Sequence, residues 1–196
     1  MNKQPDITEA TRRRILDAFW TLFRKKPPEK ITASALAAEA NMHRSSFYRY
    51  FSDIYQVLDV FQAELLWHLK NEIDTIQTST DITLPEYTEK ISVLLTNSAD
   101  KIYRLLNYKG CDFREQFVST LKPNIERYLH SDMENPHTEY ITAFILSAML
   151  FNFNFWYEHR DHYALQQVTS LGKNIVLNGL SVNGFNRPMG TLDKTT

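Results

Sequence analysis

The stretch Asn41-Met42-His43-Arg44-Ser45-Ser46-Phe47-Tyr48-Arg49-Tyr50-Phe51 constrains this chain more than any other. Phe47 and Phe51 stand four residues apart, so on a helix they share one face and can anchor it to a core. Arg44, Ser45, Tyr48 and Arg49 spread over the rest of the surface. A short helix with one holding side and one polar side has a use only if its angle is fixed. The residues before it supply that.

Ile31-Thr32 precedes Ala33-Ser34-Ala35-Leu36-Ala37-Ala38-Glu39-Ala40. Thr32 suits an N-cap, and Ile31 and Leu36 occupy the two positions of a hydrophobic staple. Asn41 follows where a left-handed residue would end the helix, a position that takes Asn when it is not Gly. The order is helix, tight turn, helix, which is a helix-turn-helix whose second helix can enter a DNA major groove. Arg44 has the planar fork that matches the two major-groove acceptors of guanine, while Ser45 and Ser46 are less selective. Thr32, Tyr48, Arg49 and Tyr50 suit phosphate contacts, which set register without reading sequence. An ordinary αα-hairpin with two solvated arginines would use the same pattern, and the pattern alone leaves both open.

The run Ile31-Thr32, Leu36-Ala37, Glu39-Ala40 and Ser46-Phe47-Tyr48-Arg49-Tyr50-Phe51 resembles the N-terminal signature of the TetR family of bacterial transcription regulators. The resemblance covers about Thr8 to Phe61; beyond it, only length and helical character are similar. It implies DNA binding, a homodimer and a helical C-terminal domain that takes a ligand. Three positions depart from the family pattern. Asn41 replaces the preferred Gly, and His43 stands where a small capping residue is usual, so His43 either leaves the reading helix less capped or faces the DNA itself. Ser52-Asp53-Ile54-Tyr55 occupies the place of a phosphate-binding lysine, so the resemblance supplies no phosphate contact there.

Charge divides the chain in the same way. Residues 1–56 hold ten Lys/Arg against six Asp/Glu, a net +4, and the remainder holds twelve against seventeen, a net −5. A basic head on an acidic body suits a polyanion-binding domain carried by one that does not bind. The 196 residues are 43% hydrophobic, enough to bury a substantial core, and five Gly with seven Pro disfavour a helix-poor fold. The single cysteine, Cys111, excludes an internal disulfide and reads as a structural thiol. With no apolar leader in the first twenty residues, a cytoplasmic location is expected.

Along the chain, residues 1–7 read as an arm. A first helix runs from about Thr8, a possible cap, to Lys25, with Ile15, Phe19, Leu22 and Phe23 on one face and Pro27-Pro28 ending it. One or two of Arg12, Arg13 and Arg14 could reach phosphate; a solvated face is the competing reading. Ser52 can cap a long helix in which Ile54, Val57, Leu58, Phe61, Leu65, Leu69, Ile73 and Ile76 keep a helical period for about seven turns. Pro85 suits the start of another helix, a shorter one follows over about 100–108, and Phe113 to Tyr128 outlines a helix expected to bend near Pro123. Residues 130–137 read as a loop.

Tyr140 to Tyr157 is eighteen residues without a charge. That length reaches the lower edge of a membrane span, but Thr142, Ser147, Asn152 and Asn154, the missing basic flank and the lack of a second span argue against insertion. A helix apolar all round needs cover on every side. The last helix, about His162 to Leu180, can pair with it and with a second copy of the chain in a four-helix interface that uses Phe155, Trp156, Leu165, Val168, Gly172 and Ile175. Two reading helices would then address an operator of two-fold symmetry with half-sites roughly 34–36 Å apart.

The expected fold is all-α with about nine helices: a DNA-binding helix-turn-helix domain over 1–51, a regulatory and dimerisation domain over 52–185, and a tail over 186–196. Phe61, Tyr103, Phe113, Phe117, Phe144 and Phe151 are candidates to line a site for a small apolar or aromatic effector, although each taken singly is better read as core. His159, Asp161 and His162 form a loop cluster better read as solvated than as a metal site. No catalytic motif, cofactor or metal is called for. The expected function is a homodimeric repressor released from its operator by a ligand, with the change carried along the helix that starts at Ser52. An activator, a chromosome-organising protein without inducer, and a helical small-molecule carrier are the alternatives.

Overall fold

A computed structural model describes residues 5–78, 84–129 and 137–182, and these are helical with no strand among them. In chain order the helices are α1 (Pro5–Phe23), α2 (Ala33–Glu39), α3 (Arg44–Phe47), α4 (Ile54–Thr78), α5 (Leu84–Asn97), α6 (Ala99–Leu106), α7 (Phe113–Leu129), α8 (Thr138–Glu158) and α9 (Leu165–Val182), with a single 3-10 turn over Pro28–Lys30. The expected turn at 79–81, most of the loop at 130–137 and the tail at 186–196 lie outside the described residues.

The chain divides into two compact units. One holds Met1–Trp67 together with Arg104–Phe113; the other holds His68–Tyr103 and Arg114–Thr196. The division falls within α4, and the end of α6 with the following loop belongs to the first unit.

In the first unit, Ile15, Phe19 and Phe23 of α1 are fully buried, and Leu36, Phe47, Val57 and Leu58 join them from α2, α3 and α4. Phe19 stacks on Phe23 with centroids 5.3 Å apart, and Phe61 meets Phe19 edge-on at 5.5 Å and Trp20 face-on at 5.9 Å. Burial of one such ring contributes roughly 1.5–3 kcal/mol. The returning segment closes this core with Leu105, Leu106 and Phe113. Arg104 caps the end of α1: its Nε donates to the Phe23 carbonyl at 3.0 Å and its guanidinium lies 5.2 Å over the Phe23 ring.

Helix α1 begins at Pro5, earlier than a Thr8 cap would allow, and proline suits a first turn, where its missing N–H is not needed. Helix α7 continues through Pro123 to Leu129. For α4 the cap is Asp53 rather than Ser52. Asp53 Oδ1 accepts from the Gln56 amide at 2.8 Å, and Gln56 Oε1 reaches back to the Ser52 amide at 2.6 Å, a reciprocal pair that satisfies two open donors.

In the second unit, α9 packs against α5 and α8. Ser92 and Thr169 hydroxyls are 3.3 Å apart, and a Cβ built on Gly172 would lie 3.1 Å from Asn152 Nδ2, so the glycine lets α9 approach α8 closely. Among the described residues no helix is long and apolar enough to cross a membrane.

Candidate nucleic-acid interface

Local bonding fixes the α2–α3 angle as the residue types suggest. Thr32 Oγ1 accepts from the Ala35 amide at 3.1 Å, and Ile31 and Leu36 are both buried on the staple side. Asn41 adopts φ 50°, the left-handed conformation that Asn tolerates better than most side chains. With the chain turned there, the Met42 amide bonds to Ala37 O at 2.9 Å and the Asn41 amide to Ala38 O at 3.0 Å, the two-bond closure of a Schellman end.

Helix α3 is a single turn, Arg44–Phe47, continued by turn residues to Tyr50. His43 sits at its N-cap with extended backbone and makes no side-chain cap bond. Phe47 is fully buried and Phe51 nearly so, their rings 6.1 Å apart. Thr32, His43, Arg44, Ser45, Tyr48 and Arg49 are exposed, and Ser46 and Tyr50 are half-buried. Arg44 Nη2 donates to the Tyr48 hydroxyl at 3.1 Å, with the guanidinium 5.5 Å from that ring's centre.

The three arginines of α1 separate into different roles. Arg12 turns inward, 3.9 Å from Glu64 on α4 and 5.9 Å over the Phe51 ring; Arg13 pairs with Asp17 on its own helix at 3.7 Å; Arg14 is exposed. Arg12 therefore ties α1 to α4 and to the back of the α3 segment.

The six rings proposed to line an effector site have different surroundings. Phe61 and Phe113 are core residues of the first unit, and Phe117 is buried in the second. Tyr103 stacks on Tyr157 at 3.9 Å and donates to Glu158 at 2.9 Å. Phe144 and Phe151 are 58% and 70% exposed. The face of α8 that carries these two is exposed in the single chain.

The proposed dimer residues also divide. Trp156 and Leu165 are buried within the single chain, and Trp156 Nε1 donates to the Tyr163 carbonyl at 2.9 Å. Val168 and Gly172 are half-buried, and Phe155 and Ile175 are exposed. The uncovered surface of α8 carries Tyr140, Phe144, Phe151 and Phe155 at near-helical spacing, and that of α9 carries Leu171 and Ile175.

Asp100, Tyr157 and Arg160 form a surface cluster in the second unit. The Tyr157 hydroxyl and the Arg160 guanidinium each donate to Asp100 Oδ1 at 2.6 Å, and Arg160 lies over the Tyr157 ring. Burial, then the bond to Asp100, pushes the Tyr157 phenol up to about 12. Cys111 is half-buried with its thiol toward the Tyr108 and Leu105 carbonyls. His159 Nδ1 lies 2.8 Å from Phe155 O, and among the described residues no group of three His, Cys, Asp or Glu is arranged to hold a metal.

Residues 15–60 match the family model of bacterial regulatory proteins, tetR family. The fold is similar to that of a TetR transcriptional regulator from Streptococcus agalactiae 2603V, with 22% identity over 87% of this chain and 96% of that one and a TM-score of 0.67. It is similar to SmeT, the repressor of the Stenotrophomonas maltophilia multidrug efflux pump SmeDEF, with 16% identity over 96% and 98% of the two chains and a TM-score of 0.64. A third likeness is to FadR of Thermus thermophilus, a transcriptional repressor in complex with lauroyl-CoA, with 18% identity over 91% and 100% and a TM-score of 0.55. No curated protein matches the chain in sequence.

Proposed function

We propose that this chain, which carries the TetR-family N-terminal helix-turn-helix within a TetR-like all-α fold, is a sequence-specific DNA-binding transcription regulator that acts as a cytoplasmic homodimeric repressor. The observation that carries the reading is the exposed set Arg44, Ser45, Tyr48 and Arg49, held from behind by Phe47 and Phe51 and set at its angle by Thr32 and Asn41. In this reading Arg44 addresses a guanine edge, and Thr32, Arg49 and Tyr50 meet phosphates. His43, which makes no side-chain cap bond, faces the duplex.

Dimerisation uses the uncovered rings of α8 and the exposed Leu171 and Ile175 of α9, an apolar surface that isolated chains would leave in water. The effector is a small apolar or aromatic molecule, a reading supported by relatives described as an efflux-pump repressor and as a repressor in complex with lauroyl-CoA. The buried Thr142 hydroxyl has no hydrogen-bond partner among the described residues and would accept one from a ligand's polar end. Release requires that the effector bind the non-operator state more tightly, since equal affinity for both states shifts nothing.

Selection of bound fragments from random duplex DNA by the full chain tests the function. The expected result is an enriched sequence with two-fold symmetry, whose affinity falls by ~1–3 kcal/mol on Arg44→Ala with relaxed preference at one base pair per half-site. Recovery of unenriched DNA, or equal binding of all duplexes by both proteins, would overturn it.

A further inference from the structure

The Arg44–Tyr48 contact assigns Tyr48 a role different from that of a separate phosphate contact. The two residues are one helical turn apart and face the same way. The arginine donates to the phenolic oxygen at 3.1 Å while its guanidinium lies 5.5 Å from the ring centre, so ring and hydroxyl hold the fork together. The Tyr48 ring in turn meets Phe47 edge-on, with centroids 5.3 Å apart and planes at 73°, and Phe47 is fully buried. A chain of three side chains therefore runs from the core to an exposed guanidinium.

That connection matters because little else restrains Arg44. It is the first residue of a one-turn helix whose N-cap, His43, makes no side-chain cap bond. A free arginine side chain loses rotamer freedom when it is fixed. Bidentate reading of a base requires its fork in one plane and one direction. A partner that holds it there in the unbound protein removes part of that loss before DNA arrives.

We infer that Tyr48 is a specificity-determining positioning residue: it acts through Arg44, and its hydroxyl sets how sharply the protein discriminates bases rather than how tightly it holds any duplex. This rests on the DNA-binding reading above. Specificity is a difference of affinities, so a group acting only through a base reader changes the ratio between duplexes and leaves the phosphate contribution alone.

The test uses the full chain, a duplex selected from random DNA and a scrambled duplex of the same composition, with dissociation constants measured over a salt series. Wild type, Tyr48→Phe, Arg44→Ala and the double variant form a cycle. Tyr48→Phe keeps the ring and its contact with Phe47, so melting curves should stay unchanged. It should lower the selected-to-scrambled preference about 3- to 10-fold, the worth of one ordinary exposed hydrogen bond, with an unchanged salt slope. In the Arg44→Ala background the same change should alter the preference by less than about 2-fold. Equal weakening on both duplexes with a shallower salt slope would make Tyr48 a phosphate contact and overturn the inference. So would the same loss of preference in both backgrounds. If wild type enriches no duplex at all, the DNA-binding reading itself falls, an outcome distinct from either.

Discussion

The Tyr108 hydroxyl donates to the Glu29 carboxylate at 2.6 Å, linking residues 79 positions apart in the chain. Glu29 lies in the 3-10 turn just before the Ile31-Thr32 start of α2, and Tyr108 follows α6. Both belong to the first compact unit. The bond holds the Glu29 carboxyl below the ordinary glutamate range, and burial with the same bond pushes the Tyr108 phenol well up.

Stability should therefore depend on pH at both ends. Glu29 has a depressed folded value, so its contribution is present above the ordinary glutamate value and is lost as pH falls through the depressed one. Tyr108 has a raised folded value, so its contribution is present below the ordinary tyrosine value and is lost as pH rises beyond it. Thermal midpoints of Tyr108→Phe should lie below wild type near neutral pH, and the gap should narrow in acid. A gap constant from pH 3 to pH 8 would show that the bond's contribution does not depend on the charge of Glu29.

Gly110→Ala should damage the same corner by a different route. A Cβ on Gly110 would fall against the Tyr108 hydroxyl and ring, so the ring must move and its bond to Glu29 must open. Overpacking of this kind costs about 1–3 kcal/mol. Denaturant unfolding should report that loss, and most of it should disappear when Gly110→Ala is made together with Tyr108→Ala, which vacates the space.

Why some of this was legible in the sequence and some was not follows from the range of the interactions. Thr32, Ile31, Leu36 and Asn41 act on neighbours within six residues, and their residue types name their tasks. At the start of α4 two adjacent capping types competed, and the carboxylate of Asp53 took the helix amide because Gln56 stands three residues on to complete the pair. The return of residues 104–113 to the first unit depends on Arg104 meeting the end of α1 and on Tyr108 meeting Glu29, pairings with no periodic trace. Similarly, a helix as uniformly apolar as α8 does not announce which side its own chain will cover. The single chain covers Trp156 and leaves Phe144 and Phe151 open, a choice that an unbroken apolar run does not encode.

The Asp100–Tyr157–Arg160 cluster gives the second unit its own alkaline limit. The neutral phenol donates to Asp100, and its folded value of about 12 lies above the ordinary tyrosine value near ~10. An unfolded chain then releases this proton first, so stability is complete below the ordinary value and declines as pH rises toward the folded one. Tyr157→Phe should remove that part of the decline, seen as a flatter thermal midpoint between those two values. An unchanged pH profile would show that the phenol ionises equally well in the folded chain.

Folding and association should separate on α8 and α9. Leu165 is 5% exposed within its own protomer, and Leu→Ala at such sites costs about 2–5 kcal/mol, so Leu165→Ala should lower the melting temperature at every protein concentration. Ile175 is 65% exposed, and a charge there would face the partner chain in the proposed dimer. Ile175→Asp should leave helix content intact while moving the sedimentation coefficient toward that of a single chain. By mass action, a dimer's melting temperature rises with concentration, whereas a monomer's does not. Wild type and Leu165→Ala should keep that dependence, and Ile175→Asp should lose it. If Ile175→Asp sediments and melts like wild type at micromolar concentration, the exposed face of α9 is not the surface through which two chains meet.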